Sequence, residues 1–210
     1  MVEKLIEKTG PAVQLDSAAQ TKGERTRERI LDVAYQSIVE KGFAATSIEE
    51  LVEAAGITKS GFFYHFRDKN DMARQLFDRF LAEDEAIIDT LEKRAHELSD
   101  DPLQSFLIFL NLYAQMMDDM ETLHPGCMVA TVTYQERLFD AEVKRMNVEY
   151  LERMRRRFAE SFRKIVAEHP PRIEVDLDAL ADHLTVIVEG AIVKRRAMGR
   201  HFGVAVLAEI

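Results

Sequence analysis

The chain has one cysteine, Cys127, so no disulfide can close within it, and thiol usage this sparse fits a reducing compartment. Its five prolines and nine glycines are scattered, which suits long helices better than a sandwich of short strands and tight turns. No apolar run approaches the roughly 18 residues that a membrane-spanning helix needs. The start, MVEKLIEKTG, mixes both signs of charge and lacks the apolar stretch and cleavage site of an export signal, so a cytoplasmic protein is expected. Catalytic signatures are missing too. His65, His96, His124, His169, His183 and His201 are dispersed, none sits in an HExxH or carboxylate-histidine repeat, and neither a P-loop nor a GxSxG occurs. No catalytic residue, metal-ligand set or cofactor site is expected, and the chain does not read as an enzyme.

What it does have is a composition of 47% hydrophobic and 31% charged residues over 210 positions, enough for a real core in one or two domains. The net charge of −9 argues against nucleic acid until its distribution is examined. Residues 21–69 hold eight bases and eight acids, so nearly all of the excess acid falls in residues 70–210. Phosphate contact depends on the local basic face, not on the total.

The most informative stretch is Thr46 to Lys69, TSIEELVEAAGITKSGFFYHFRDK. Thr46 and Ser47 are each followed three residues later by a glutamate, in capping-box spacing. Ile48, Leu51, Val52 and Ala55 then supply one apolar stripe, and Gly56 stands where the chain must leave the helix in a left-handed conformation. Ile57 anchors the corner, and Thr58 is placed to cap a second helix that begins with Lys59 and Ser60. Two helices joined by a short glycine turn form a helix-turn-helix, whose second helix enters the DNA major groove N-terminus first. Lys59, Ser60, Tyr64 and His65 carry groups that bond phosphates or base edges, and Gly61 permits close backbone approach. Helical spacing puts Phe63 and Phe66 together toward the core and Phe62 on the opposite side, free to touch a sugar or a thymine methyl. A Lys, a Tyr and a His on a short helix also suit an ordinary solvated face; the capped helix and glycine turn before them favour DNA.

The run Ile48 to Lys69, with AAGITKSGFFYHFRDK at its heart, resembles the DNA-binding signature of the tetracycline-repressor (TetR) family of bacterial transcription regulators. The preceding helix from near Glu24 and the Lys69-Asn70-Asp71 start of the next helix fit as well, so the match covers roughly residues 24–72. Val52, where the family often has alanine, and Ser60-Gly61-Phe62, where small and aliphatic residues are common, depart from it and alter the details of groove contact. The DNA-facing candidates are therefore Arg25, Thr46, Thr58, Lys59, Ser60, Gly61, Phe62, Tyr64, His65 and Lys69. The resemblance implies a ligand-responsive repressor that acts as a dimer on a palindromic operator.

Residues 1–20 lack a sustained period and are expected to form a flexible arm. From Glu24 to Lys41 an apolar face of Ile30, Val33, Ala34 and Ile38 marks a helix, with Lys22, Arg25, Arg27 and Arg29 at its start as a phosphate clamp or a solvated helix end. Gly42 stops it, and Phe43 packs beneath the helix-turn-helix. A long helix from about Lys69 to Leu98 follows, a rigid rod fit to carry a shift to the DNA-facing part.

Pro102 to Met120 is apolar on most of its circumference and reads as core, or as the wall of a small-molecule cavity with adaptable Met and aromatic side chains. The ligand-facing candidates are Phe106, Phe109, Tyr113, Met116, Met117, Met128 and Tyr134. His124 to Ala130 is a turn into a short helix, and its GCMVAT run resembles a Gly-Cys element of the family's regulatory domain. Cys127 is a buried inert thiol or a sensor. Asp140 to His169 and Leu177 to about Met198 are two more long helices, the second capped by Asp176. Arg153, Arg155, Arg156 and Arg157 read as a solvated or salt-bridged face.

In the resembled family the last two long helices pair with their twofold mates, which implies a homodimer through about 141–169 and 177–200. The expected fold is all-α: an arm (1–20), an N-terminal three-helix helix-turn-helix domain (21–68), and a C-terminal helical ligand-binding and dimerisation domain (69–210). Its expected partners are double-stranded operator DNA, a second copy of the chain and a small-molecule effector, with no membrane. A helical module that binds proteins without DNA, and a helical enzyme acting on small molecules, are the alternatives.

Overall fold

A computed structural model describes residues 21–118 and 127–198, so the arm at 1–20, the start of the turn at His124 and the chain after Met198 lie outside the described residues. Within them all regular structure is helical: α1 (Lys22–Lys41), α2 (Ile48–Ala54), α3 (Lys59–His65), α4 (Lys69–Leu98), α5 (Pro102–Asp118), α6 (Met128–Tyr134), a 3-10 turn (Glu136–Leu138), α7 (Ala141–Glu168) and α8 (Leu177–Met198). None of these helices is long and apolar enough to cross a membrane.

The helix starts follow from side chains that satisfy otherwise unpaired backbone N–H groups. Thr21 and Glu24 form a reciprocal capping box, with Glu24 N donating to Thr21 Oγ1 at 3.2 Å and Thr21 N to Glu24 Oε2 at 2.7 Å. Asp101 Oδ1 accepts from Gln104 N at 2.8 Å, Asp140 Oδ1 from Val143 N at 3.0 Å and Asp176 Oδ1 from Ala179 N at 3.1 Å, so three aspartates open α5, α7 and α8. Between Pro170-Pro171 and Asp176 the chain is not helical, as two successive prolines require.

The chain divides into two compact units, Met1–Glu83 with Met128–Lys144, and Asp84–Cys127 with Arg145–Ile210. In the first, Ile30, Leu31, Ala34 and Ile38 of α1, Leu51 of α2, Phe62 and Phe66 at α3, and Met72, Leu76 and Phe77 of α4 are almost wholly buried. Polar ties reinforce the α1–α4 contact: Arg27 Nε donates to Gln75 Oε1 at 3.1 Å, and Arg79 pairs with Glu28 at 2.9 Å and Asp32 at 3.0 Å. Residues from after the long α5 return to this unit. Phe139 packs its ring 4.5 Å from that of Phe43, and Gln135 Oε1 accepts from Phe43 N at 3.0 Å.

The second unit is built on an aromatic chain. Phe106 lies 5.8 Å from Phe109 and 5.1 Å from Phe162, while Phe109 lies 6.2 Å from both Tyr113 and Phe158, centroid to centroid. Outside this apolar seam Arg157 pairs with Asp89 and Glu92, each at 2.6 Å, Arg155 with Asp182 at 3.5 Å and Arg163 with Asp178 at 3.0 Å. The arginine run on α7 thus serves salt bridges, three of its members being so engaged once the Arg153–Glu85 pair is included. Asp84 accepts a hydrogen bond from the Tyr150 hydroxyl, and burial pushes its carboxyl above the usual carboxylate range.

Two consequences are measurable. Gly56 holds φ +62° with nothing within 4 Å of a Cβ built there, so Gly56→Ala meets only conformational strain and is expected to lower the unfolding free energy by about 1–2 kcal/mol in urea titrations. An unchanged midpoint contradicts the left-handed turn. Because the folded-state pKa of Asp84 is raised, its favourable contribution is complete below the ordinary value of 3.8 and is lost as pH rises through the folded value. Asp84→Asn is therefore expected to be more stable than the parent at pH 7 and to lose that advantage as pH falls toward 3.8; a pH-independent destabilisation contradicts it.

Candidate nucleic-acid interface

The local fold of residues 46–66 follows from its polar contacts. Ser47 caps α2 in a full capping box, its Oγ accepting from Glu50 N at 3.2 Å while Glu50 Oε2 accepts from Ser47 N at 3.1 Å. Of the two residues spaced to cap α2, Thr46 takes another role: it is 1% exposed, its Oγ1 lying 3.0 Å from both Gly42 O and Ser37 Oγ. The candidate DNA contact at Thr46 is thus corrected, since a buried hydroxyl bonded to α1 cannot reach phosphate. α2 ends in a Schellman arrangement, with Ile57 N donating to Val52 O at 2.9 Å and Gly56 N to Glu53 O at 3.1 Å around the left-handed Gly56. Thr58 then caps α3, its Oγ1 accepting from Gly61 N at 3.1 Å.

α3 has seven residues, and its faces are unambiguous. Phe62 is 0% exposed and Phe66, at the helix end, 1%. Phe63 is 46% exposed and Tyr64 83%. The expected assignment of the phenylalanines is therefore reversed at two positions: Phe62 belongs to the core and is removed from the DNA-facing set, and Phe63 faces out. Spacings of three (Phe63, Phe66) and four (Phe62, Phe66) both fit a helix; the register set by the Thr58 cap and by docking against α2 selects the second.

With roughly 100° per residue, Lys59, Ser60, Phe63 and Tyr64 form one continuous outer face. Gly61 and His65 lie on the flank. A Cβ on Gly61 would sit 3.4 Å from Thr58 Oγ1 and 3.7 Å from Ile57 Cβ, ordinary contact distances, so the turn itself does not require a glycine there. Burial, and secondarily the charge of Arg27, hold the His65 pKa below its ordinary value, which favours the neutral imidazole.

The cations of this unit divide by use. Lys69 turns onto the Phe43 corner, donating to Phe43 O with its ammonium 4.1 Å from the ring centroid, and burial lowers its pKa. Arg27, part of the expected clamp, is committed to Gln75 and Glu28. Lys41 pairs with Glu50, whose carboxyl that pairing and the capping bonds hold at about 2. Lys59 meets Glu49 at 2.6 Å, but with both side chains more than half exposed this pair is worth little and is readily exchanged for a phosphate. Arg25 on α1 and Arg67 just beyond α3 are exposed as well.

The ligand-facing candidates separate. Phe106, Phe109, Tyr113, Met116 and Met117 lie in the second unit, whereas Met128 and Tyr134 belong to the first. Tyr134 is 80% exposed, which removes it from any enclosed cavity; Met128 is 2% exposed, in the core of its own unit. Among the described residues Asp101, Glu168 and His169 bring possible metal-ligating atoms within 4.8 Å of one another. Asp101 there is occupied with capping α5 and with His169 Nε2 at 2.6 Å, so the group works as a corner tie.

Gln135 and Phe63 were the residues that sequence spacing missed. Nothing in the sequence connects Gln135 to Phe43, 92 positions away. For Phe63 no local signal decides, since Phe62 and Phe63 both stand about one turn from Phe66.

Comparison with known proteins agrees with this geometry. Residues 30–76 match the family described as "Bacterial regulatory proteins, tetR family". The chain is 25% identical over 191 residues to the transcriptional regulator AcuR of Cereibacter sphaeroides, covering 83% of this chain and 84% of that one. It is 38% identical over 63 residues, 29% of each chain, to the HTH-type transcriptional regulator AcrR of Shigella flexneri. A TetR-family transcriptional regulator from Agrobacterium tumefaciens has the same fold, with a TM-score of 0.72 at 21% identity over 88% of this chain and 92% of that one. With an outward α3 seated on two buried phenylalanines in the segment that the family match covers, residues 30–76 carry the DNA-binding segment of the tetR family of bacterial regulatory proteins, and the chain over most of its length is similar to regulators of transcription.

Proposed function

We propose that the chain is a ligand-responsive repressor that binds a palindromic operator as a homodimer in the cytoplasm, each subunit laying α3 in a major groove. Residues 21–68 form the DNA-binding domain in this reading, and residues 69–210 the regulatory and dimerisation domain. The observation that carries it is the outer face of α3, where Lys59, Ser60 and Tyr64 stand exposed on a helix whose opposite side is sunk in the core. Lys59 and the Ser60 hydroxyl supply phosphate and base-edge donors at the helix end that leads into the groove, and the Tyr64 hydroxyl supplies another further along the same face.

Dimerisation is supported by an uncovered stripe on α8. Val186 (67% exposed), Gly190 and Val193 (50% exposed) recur at four and three residues, the spacing of one helix face, and Val148 and Leu151 are exposed on α7. Two copies joined through such faces hold their recognition helices at a fixed separation. The effector site is assigned to the second unit, where Phe106, Phe109, Tyr113, Met116 and Met117 offer an adaptable apolar lining. A ligand with unequal affinity for two spacings of the recognition helices then alters operator occupancy by that difference.

Lys59→Ala is expected to weaken binding to all duplexes alike and to reduce the slope of log affinity against log salt by about one for each α3 engaged. A salt titration with an unchanged slope removes Lys59 from the interface. The double change Val186→Glu, Val193→Glu is expected to halve the mass seen by sedimentation and to weaken operator binding a hundredfold or more, roughly the avidity of two linked half-sites. A variant that remains dimeric shows the interface to lie elsewhere.

A further inference from the structure

Phe63 is left over when the phosphate-directed groups of α3 have been assigned. Its ring is 46% exposed, on the same face as Lys59, Ser60 and Tyr64, and it is not part of the Phe62–Phe66 seat. It is also held in place: the ring stands edge-on to Phe62 with centroids 5.4 Å apart and planes at 90°. A pre-set apolar ring in the middle of a hydroxyl- and ammonium-bearing face has a specific complement in B-DNA. Of the base edges in the major groove, thymine alone presents a methyl group, and apolar side chains recognise it by contact.

We infer that Phe63 is a specificity-determining residue that reads a thymine 5-methyl group in each half-site. The inference rests on the reading of α3 as the major-groove element. Lys59, Ser60 and Tyr64 hold the helix to the backbone and to polar base edges, and the Phe63 ring covers the methyl and excludes water from it. Phosphate contacts alone leave binding indifferent to base identity, whereas this contact makes one position per half-site favour T·A over C·G.

The test removes that methyl and nothing else. The full-length protein is used to select a duplex from a randomised pool, and each thymine of the selected site is replaced in turn by deoxyuridine, which lacks only the 5-methyl. The parent protein is expected to lose about fourfold in affinity at one thymine per half-site, as for the burial of one methyl group. Phe63→Ala is expected to bind thymine and deoxyuridine duplexes equally at that position, and Phe63→Leu to keep part of the preference; thermal melting of both variants checks that they fold.

Equal discrimination by Phe63→Ala and the parent, or no thymine whose methyl matters to the parent, overturns the inference while leaving DNA binding by α3 intact. Variants that fail to melt cooperatively move the decision to the parent's deoxyuridine scan, where a methyl-dependent thymine in each half-site supports the contact and none overturns it. Selection that yields no preferred duplex overturns both this inference and the DNA-binding reading beneath it.

Discussion

Two phenylalanine rings determine what this protein can present to DNA. Phe62 and Phe66 are removed from water one turn apart, and burying each is worth about 1.5–3 kcal/mol. The exposed Lys59–Glu49 pair is worth about 1 kcal/mol or less. Rolling α3 by one residue exposes Phe62 and draws Phe66 from its buried seat, so the core chooses the outer face and the polar residues only populate it. The seven-residue helix is too short to be stable alone; its shape is borrowed from the Thr58 cap, the Gly56 turn and this apolar seat.

The charges of the first unit follow a similar division. Cations near the core are spent on structure: Arg79 on Glu28 and Asp32, Arg27 on Gln75, Lys69 on the Phe43 carbonyl and ring. Of those left at the periphery, Lys59 sits in an exposed pair with Glu49 that phosphate can displace at small cost, and Arg67, itself exposed, reaches the largely covered Asp71 only at 3.5 Å. This explains how a segment with as many acids as bases serves a polyanion. Phe43 is the shared support of the corner, touched by Lys69, by the Phe139 ring and by Gln135 through its amide N–H.

Much of this was legible in the sequence because it depends on neighbours. The capping box at Ser47, the left-handed Gly56, the Thr58 cap and the Asp176 cap all act within a few residues, and each lies where residue chemistry required it. The bounds of α4 likewise match the Lys69 to Leu98 expectation. What was not legible depends on how the helices dock on one another. Thr46 and Ser47 share capping-box spacing, and only the approach of α1, with Ser37 and Gly42 O, decides which one is buried. Phe62 and Phe63 are both one helical step from Phe66, and docking on α2 breaks the tie. Tyr134 ends a short helix with an amphipathic look, yet its ring is exposed because the fold packs Met128, Val129 and Val132 inward instead.

The central claim is that the outer face of α3 enters the major groove twice per bound protein. Dimethyl sulfate methylation of the DNA upstream of the coding region tests it directly, since guanine is modified at N7 in the major groove and adenine at N3 in the minor groove. The proposed dimer predicts guanine protection in two patches centred about 10 base pairs, or a multiple of that, apart on one side of the duplex, with minor-groove adenines reactive throughout. Protection confined to adenine N3, or unchanged guanine reactivity at saturating protein, contradicts it.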